Sequence, residues 1–382
     1  MPHPQPAPSP PDPLGAKAGI LPSHAIQALV GGGAIRIAKP LVEGQVQPAS
    51  LDLRLGARAH RVRASFLPGS RMRVADKLEQ LALHEIDLSG GAVLETGCVY
   101  IVPLLESLAL DAGIAAAANP KSSTGRLDVF TRVIADHAQE FDKIDAGYAG
   151  PLYAEISPRT FPILVREGSR LAQIRFRRGS AVCSDADLRA LHQHEGLVSA
   201  AQANIEGGLA LSVDLRGETE SGLIGFRAKR HTALVDLDRV AVYEALDFWE
   251  PIFSRGESGL ILDPDQFYIL ASKEAVQVPP GYAAEMVPFN PLVGEFRVHY
   301  AGFFDPGFGY RAAGGAGSRA VLEVRSHEVP FILEDGQIIG RLIYERLTET
   351  PREVYGAGIG SSYQRQGLKL SKHFKPFAPA TR

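Results

Sequence analysis

The chain contains an internal repeat in which matching residues are separated by 168 positions. The matching pairs are Leu94 and Leu262, Tyr100 and Tyr268, Gly113 and Gly281, Pro120 and Pro288, Glu155 and Glu323, Pro162 and Pro330, and Gly168 and Gly336. This single offset holds over about 75 residues, and the residues between the pairs also match in type. A constant separation over such a length indicates one structural unit present twice. The sequence therefore predicts two tandem copies of a domain.

The domain boundaries follow from the repeat and from the proline content. Residues 1–19 include seven prolines in the first thirteen positions, which is typical of a disordered or polyproline II tail. We expect repeat 1 to span residues 20–210 and repeat 2 to span residues 211–382, with the junction between residues 195 and 220. The length of 382 residues suits two domains, because one domain usually has about 100–200 residues.

Short apolar stretches separated by turns predict an all-β fold with a few short helices. The clearest predicted strands are at 99–105, 151–157, 161–165 and 170–176. The 39 glycines and 27 prolines also fit a turn-rich β fold. One short helix is predicted after Ser23, which would cap it, and a second is predicted at 184–194 with Ser184 as its cap.

Charge and composition exclude several classes of protein. The net charge of −3 provides no overall attraction for nucleic acid. The sequence lacks an apolar run of the ~18–20 residues that cross a bilayer, and it lacks the basic start and apolar stretch of a signal peptide. We therefore expect a cytoplasmic protein with no membrane partner. Two cysteines are too few for a disulfide framework or a multi-thiolate zinc site.

Three short stretches combine the residue types that a nucleotide requires. They are QPASLDLRLG (47–56), PKSSTGRLDVF (120–130) and KIDAGYAGPLYAEIS (143–157). Phosphate groups bind hydroxyls, backbone N–H groups and an arginine at a turn, as Ser122, Ser123 and Arg126 would provide. A deoxyribose needs an acceptor such as Asp145 and a flat surface such as Tyr148. The same residues also fit ordinary turns and a surface ion pair.

Glu155 is a carboxyl in a stretch that is otherwise apolar. Its neighbours include Leu152, Ala154 and Ile156. An inward-facing Glu155 would have a raised pKa and could move protons. An outward-facing Glu155 would be solvated, and the sequence pattern leaves both orientations open.

Together the three stretches resemble the motifs of the dCTP deaminase/dUTPase superfamily. QPASLDLRLG resembles its Gln/Asn-Pro-Ala/Ser-Ser-x-Asp-x-Arg-Leu-Gly motif, KSSTGR its Arg-Ser-Ser-x-x-Arg phosphate loop, and IDAGYAG its Ile-Asp-x-Gly-Tyr/Trp-x-Gly turn. Tyr355 and SSYQRQG (361–367) resemble the tail that closes over the nucleotide. The resemblance covers nearly the whole chain and implies two dUTPase-like lobes, each a distorted β-barrel or jelly roll.

The resemblance also implies a role for each site residue. Glu155 would be the general base and acid that activates water, because deaminases carry Glu at this position and dUTP diphosphatases carry an apolar residue. The other implied site residues are Ser122 and Arg126 for the water and the pyrimidine edge, Lys121 and Ser123 for phosphate, Asp145 and Tyr148 for the deoxyribose, and Tyr355, Tyr363 and Gln366 from the tail.

The implied reaction is hydrolysis of dCTP to dUTP and ammonia. Two alternatives stay open at this point: a bifunctional enzyme that continues to dUMP, and a nucleotide-binding regulator on the same fold. The implied ligands are dCTP, dUTP and dTTP as an inhibitor. Because relatives with one repeat are trimers, the resemblance implies a homotrimer or a multiple of it.

Mg²⁺ is expected as a partner of the triphosphate, and zinc is not expected. Zinc nucleobase deaminases carry a C-x-x-C motif, which this sequence lacks. His192 and His194 are the nearest approach to a ligand pair, and we expect both to be solvated.

Repeat 2 departs from the family pattern in its phosphate loop. Asn290 and Pro291 stand opposite the two serines of repeat 1, whereas Asp305 and Glu323 persist as equivalents of the turn aspartate and the strand glutamate. Sites in this family lie between subunits, so either glutamate could complete the site of the serine loop. We expect Glu155 to do so, because its spacing from the preceding turn matches the family.

Overall fold

The computed structural model describes residues 17–200, 202–217, 221–256, 259–288, 296–298, 302–311, 317–326, 329–356 and 366–377. The helices are α1 (Ser23–Gly31), α2 (Val74–Leu81), α3 (Ser122–Gly125), α4 (Asp185–Glu195) and α5 (Ala245–Phe248). The strands of the first half are β1 (Gly19–Ile20), β2 (Ile35–Ile37), β3 (Val46–Gln47), β4 (Ser50–Arg54), β5 (Arg58–Val62), β6 (Ala82–Asp87), β7 (Ala92–Leu94), β8 (Val99–Ala109), β9 (Ile114–Pro120), β10 (Val129–Ala135), β11 (Lys143–Ile144), β12 (Ala149–Pro158), β13 (Ile163–Val165) and β14 (Arg170–Arg178). The strands of the second half are β15 (Leu209–Ser212), β16 (Leu223–Ala228), β17 (Val235–Asp236), β18 (Trp249–Phe253), β19 (Leu260–Leu262), β20 (Phe267–Val276), β21 (Tyr282–Pro288), β22 (Phe296–Val298), β23 (Phe303–Phe304), β24 (Ser318–Ser326), β25 (Phe331–Leu333) and β26 (Ile338–Arg346). Strands dominate the described chain, so the all-β prediction is confirmed.

The first half folds into two main sheets that enclose a core. One sheet has the strand order β11-β9-β14-β4-β3, and the other has the order β10-β12-β8-β5-β6. Both sheets contribute to one apolar cluster, through Leu51 and Ile174 of the first sheet and Leu108 and Leu152 of the second. Burial of these side chains between the two sheets is the main force that holds them together.

The second half has the same arrangement of sheets. Its strand orders are β15-β26-β21-β23 and β18-β16-β20-β24-β22. Leu211 and Leu342 of one sheet pack with Leu270 and Leu322 of the other. Leu188 of α4 belongs to the same cluster, so this helix packs on the second half.

The strand pairing around the two repeated glutamates has the same register in both halves. Glu155 on β12 lies opposite Ile101 on β8, and Glu323 on β24 lies opposite Ile269 on β20. Each pair is separated from its counterpart by 168 residues, and the pairing of β14 with β9 recurs in β26 with β21 at the same separation. The repeat in the sequence therefore corresponds to a repeat in strand pairing.

A shared aromatic cluster joins the two halves. Phe161 of the first half contacts Trp249 of the second half edge to face, with ring centroids 5.3 Å apart. Phe374, near the C-terminus, packs on Phe248 with centroids 5.2 Å apart. Strand β17 also extends the first half, because Val235 pairs in parallel with β13. The chain after β26 therefore returns to the interface between the halves.

The helices show where local signals succeed and where they fail. Ser184 caps α4 as predicted, since its hydroxyl accepts a hydrogen bond from the Asp187 N–H at 3.2 Å. The predicted cap Ser23 is wrong: Pro22 is the N-cap of α1, and Ser23 is the first helical residue. Helix α2 was not predicted, although the spacing of its buried residues Val74 and Leu78 is helical. None of the described helices has the length and apolarity that crossing a bilayer requires.

Candidate active site

The serine loop, Lys121–Arg126, forms a short helical turn at the end of β9. Ser122–Gly125 is helix α3, and the Arg126 N–H donates to the Ser122 carbonyl at 3.1 Å. Ser122 is exposed, whereas Ser123 and Arg126 are buried. The Lys121 N–H donates to the Leu171 carbonyl at 2.8 Å, which fixes the start of the turn to β14.

Glu323 of the second half lies directly against this loop. A Cβ atom added to Gly125 would be 2.9 Å from Glu323 Oε2 and 3.0 Å from its Cδ. Only a residue without a side chain allows the carboxyl to come this close. Glu323 is 5% exposed, so its carboxyl group is almost fully removed from water.

Burial raises the pKa of Glu323 to about 8. The positive charge of Arg126 opposes this shift, and the negative charge of Asp128 adds to it. A carboxyl group whose pKa lies near neutrality can both accept and return a proton. Such perturbed groups are concentrated at functional sites.

Arg126 connects the loop to the C-terminal segment. Its guanidinium donates to the Lys369 carbonyl at 2.9 Å and to Gln366 Oε1 at 3.0 Å. Gln366 in turn donates to the Arg319 carbonyl of β24 at 3.0 Å. The Ser371 hydroxyl donates to the Ser123 carbonyl at 2.7 Å. The loop, the strand of the buried glutamate and the C-terminal segment thus form one hydrogen-bonded unit.

A cationic cavity of about 350 Å³ opens beside the loop. Lys121, Ser123, Arg170 and Lys372 all line it. Burial lowers the pKa of Lys372, and the positive charges of Lys121 and Arg170 lower it further. Asp52 balances part of this charge, since the ammonium of Lys121 lies 2.5 Å from its carboxylate. Several positive groups around one cavity are what a polyphosphate requires.

The turn of the second half contributes a buried aspartate. Asp305 pairs with Arg175 of β14 at 3.3 Å, so the turn is tied to the first half. Burial raises the pKa of Asp305, while Arg175 and, more weakly, Lys121 lower it. Tyr355 covers the turn, because its N–H donates to the Pro306 carbonyl at 2.7 Å. Asp305 and Tyr355 are therefore held together.

Glu155 is not brought to the serine loop within the chain, so the expected pairing of Glu155 with Ser122 and Arg126 is not the one observed. Glu155 lies opposite Arg132 in the pairing of β10 with β12. The two side chains form an ion pair of 2.6 Å, and the Arg132 guanidinium lies 3.4 Å from the centroid of the Phe141 ring. The physical reason is the antiparallel register, which places a cation opposite Glu155.

The remaining predicted residues of the first half make local contacts. Asp145 is exposed in its turn. The Tyr148 hydroxyl donates to the Pro151 carbonyl at 2.6 Å and accepts from the Asp136 N–H at 3.0 Å. Burial raises the pKa of Tyr148 to about 12. Tyr363, Asn290 and Pro291 lie outside the described residues.

Several site residues were not predicted from the sequence. They are Arg170, Lys369, Ser371, Lys372 and His373. The run of basic and apolar residues after the tail motif was a signal for four of them. Burial lowers the pKa of His373 to about 4, so this side chain is neutral at pH 7. The described residues contain no group of three or more His, Cys, Asp or Glu side chains that could hold a metal ion.

The chain resembles known proteins along nearly its whole length. Residues 17–180 match the family described as "2'-deoxycytidine 5'-triphosphate deaminase (DCD) N-terminal domain", and residues 184–374 match the corresponding C-terminal domain. A protein of Beutenbergia cavernae named "dCTP deaminase, dUMP-forming" is 30% identical over 163 residues, which are 42% of this chain and 81% of that protein. A protein of Coprothermobacter proteolyticus with the same name is 27% identical over 158 residues, or 41% of this chain and 81% of that protein.

A solved structure supports the same assignment. The crystal structure of 2'-deoxycytidine 5'-triphosphate deaminase from Agrobacterium tumefaciens is 66% identical and superposes with a TM-score of 0.84. The match covers 88% of this chain and 100% of that chain. The resemblance seen in the motifs is thereby confirmed, and the chain belongs to the 2'-deoxycytidine 5'-triphosphate deaminase family of enzymes.

Proposed function

We propose that the protein hydrolyses dCTP to dUTP and ammonia, with Glu323 as the proton-transferring group. The observation that carries this proposal is the buried carboxyl of Glu323 against Gly125, next to Arg126. The serine loop of the first half and the glutamate of the second half would form one site within a single chain. In this assignment Glu323 takes the role that the resemblance implies for Glu155.

The reaction needs one group that accepts and then donates protons. Glu323 in its ionised form would take a proton from water, and the resulting hydroxide would attack C4 of cytosine. Glu323 would pass this proton to N3 of the pyrimidine and then move the proton of the new C4 hydroxyl to the amino group. Cleavage of the C4–N4 bond would then release ammonia and leave the carbonyl of uracil. Arg126 and Ser122 would hold the polar edge of the base during this change.

The cationic cavity beside the loop would hold the triphosphate. Lys121, Arg170 and Lys372 supply positive charge, and Ser123 lies at its wall. Mg²⁺ would be bound mainly by phosphate oxygens and water. The Asp305 carboxylate would accept a hydrogen bond from the deoxyribose hydroxyl. This is the role that the resemblance implies for Asp145.

We also propose two dUTPase-like barrel lobes derived by duplication and assembled as a trimer or a multiple of it. The recurring strand register supports the two lobes. The oligomer is inferred from the resemblance alone, and sedimentation of the intact chain tests it.

The products of dCTP turnover test the proposed function. With Mg²⁺ present, we expect ammonia and dUTP to appear in equal amounts without pyrophosphate. Pyrophosphate and dUMP in addition would show the bifunctional reaction, which the names of the "dUMP-forming" relatives favour. Tight binding of dCTP without either product would contradict the proposal and leave a nucleotide-binding regulator.

The pH dependence of kcat/KM follows from the raised pKa of Glu323. The general base must be ionised in the free enzyme, and its pKa is about 8. We therefore expect kcat/KM for dCTP to rise about tenfold per pH unit below this value and to level off above it. Initial rates between pH 6 and pH 9.5 at low dCTP measure the profile. A flat profile through pH 8 would contradict this assignment.

A further inference from the structure

A second cationic cleft, of about 560 Å³, lies between the two halves. We call it the arginine cleft, because Arg159 of the first half and Arg230 and Arg325 of the second line it. Asp265 is the carboxylate in its lining. The cleft therefore carries a positive charge, although the whole chain has a net charge of −3.

Two of these arginines are available to a ligand. Arg159 and Arg230 are exposed, and neither forms an ion pair with any residue that the structure describes. The Thr160 hydroxyl also lines the cleft. Guanidinium groups and hydroxyls in one concave space favour an anion with several phosphate oxygens, because a guanidinium binds two such oxygens at once. The volume is that of a small-molecule site.

Arg325, the third arginine of the cleft, links the cleft to the serine loop. Arg325 is buried and forms an ion pair with Asp128, and it also donates to Thr160 Oγ1 at 3.1 Å. The Asp128 N–H donates to the Gly125 carbonyl at 2.8 Å. Arg325 also stands two residues after Glu323 on β24, so the two side chains leave the strand on the same side.

We propose that the arginine cleft binds a phosphate-rich anion and that binding lowers the rate of deamination through Arg325 and Asp128. Phosphate oxygens in the cleft compete with Asp128 for the guanidinium of Arg325. Weakening that ion pair changes the contacts of the Asp128 carboxylate, and the N–H of the same residue donates to the Gly125 carbonyl at the end of the serine loop, next to Glu323. Binding to the cleft stands on geometry alone, whereas its effect on rate rests on the proposed function.

Kinetics with inorganic tripolyphosphate test the effect on rate, with free Mg²⁺ held constant. In the unaltered chain we expect tripolyphosphate to lower kcat at saturating dCTP. The double variant Arg159→Ala/Arg230→Ala should keep its basal kcat, and the concentration that halves kcat should rise at least about tenfold, the effect of losing two charge-assisted contacts. Arg36→Ala, which removes an exposed arginine on strand β2 that does not line the cleft, should respond like the unaltered chain.

Calorimetry tests binding separately from turnover. We expect two tripolyphosphate sites per chain, of which the double variant loses one and Lys121→Ala weakens the other. An unchanged kcat in the unaltered chain would overturn the link to catalysis. A double variant that binds like the unaltered chain would overturn the site itself, whether or not dCTP is turned over. Comparing tripolyphosphate with dGTP separates a free polyphosphate from the triphosphate of a nucleotide as the ligand.

Discussion

Glu323→Gln is expected to lower kcat for dCTP deamination by about two to four orders of magnitude, the usual contribution of a general acid–base group. The amide keeps the size of the carboxyl against Gly125 but cannot take a proton from water. Glu155→Gln is the matched control, because it makes the same change on the equivalent strand beside Arg132. We expect its kcat to stay of the same order as that of the unaltered chain. Release of ammonia, measured per folded enzyme, compares the three proteins.

Gly125→Ala tests position rather than chemistry. The added methyl would lie 2.9–3.0 Å from the carboxyl of Glu323, so that the carboxyl must move by a fraction of an ångström. A displacement near 1 Å costs about 10²-fold in rate, and we expect a loss between about tenfold and that value with the fold retained.

Loss of activity in Glu155→Gln together with full activity in Glu323→Gln would return the catalytic role to the first half.

Arg175→Met is expected to destabilise the protein by about 3–5 kcal/mol, the usual cost of removing one partner from a buried charged network. The Arg175 side chain is 2% exposed. It contacts Asp305 at 3.3 Å and Glu345 at 3.7 Å, and it donates to the Ala284 carbonyl at 3.1 Å. Methionine fills a similar volume but removes the positive group that acts most strongly on both carboxyls.

The destabilisation by Arg175→Met should depend on pH in a defined direction. Burial already raises the pKa of Asp305 and of Glu345, and Arg175 lowers both. Without the arginine these pKa values rise further, so protonation relieves the penalty at low pH and the penalty grows as pH increases. Thermal unfolding at pH 5.5 and pH 8 measures the difference. Arg177→Met, on the same strand but only partly buried, is the control and should cost under about 1 kcal/mol. An equal, small loss of stability in both variants would contradict the prediction, because it would show that the charged network around Arg175 does not stabilise the contact between the halves.

The fold was predictable because its signals are local or periodic. Short apolar runs and turn residues predict strands, and the constant offset between repeated residues predicts a second copy of the same unit. The Ser184 cap was also predictable, since its partner Asp187 is three residues away. Ser23 failed as a cap because Pro22 already occupies that position at the start of α1. A residue caps a helix only if its backbone has the non-helical dihedral angles of the N-cap position. The residue type makes such angles more favourable but does not determine them.

The sequence by itself determined the repeat, the β class, the serine loop and two candidate glutamates. Only the tertiary structure decided which glutamate meets the loop. Glu155 and Glu323 occupy the same register in equivalent strands, so local sequence cannot distinguish them. The difference arises because packing of the two halves places Glu323 on Gly125, whereas the neighbouring strand places Arg132 on Glu155. Contacts between segments that are distant in sequence depend on which apolar faces of the sheets are buried against each other. The spacing of residues along the chain does not predict these contacts.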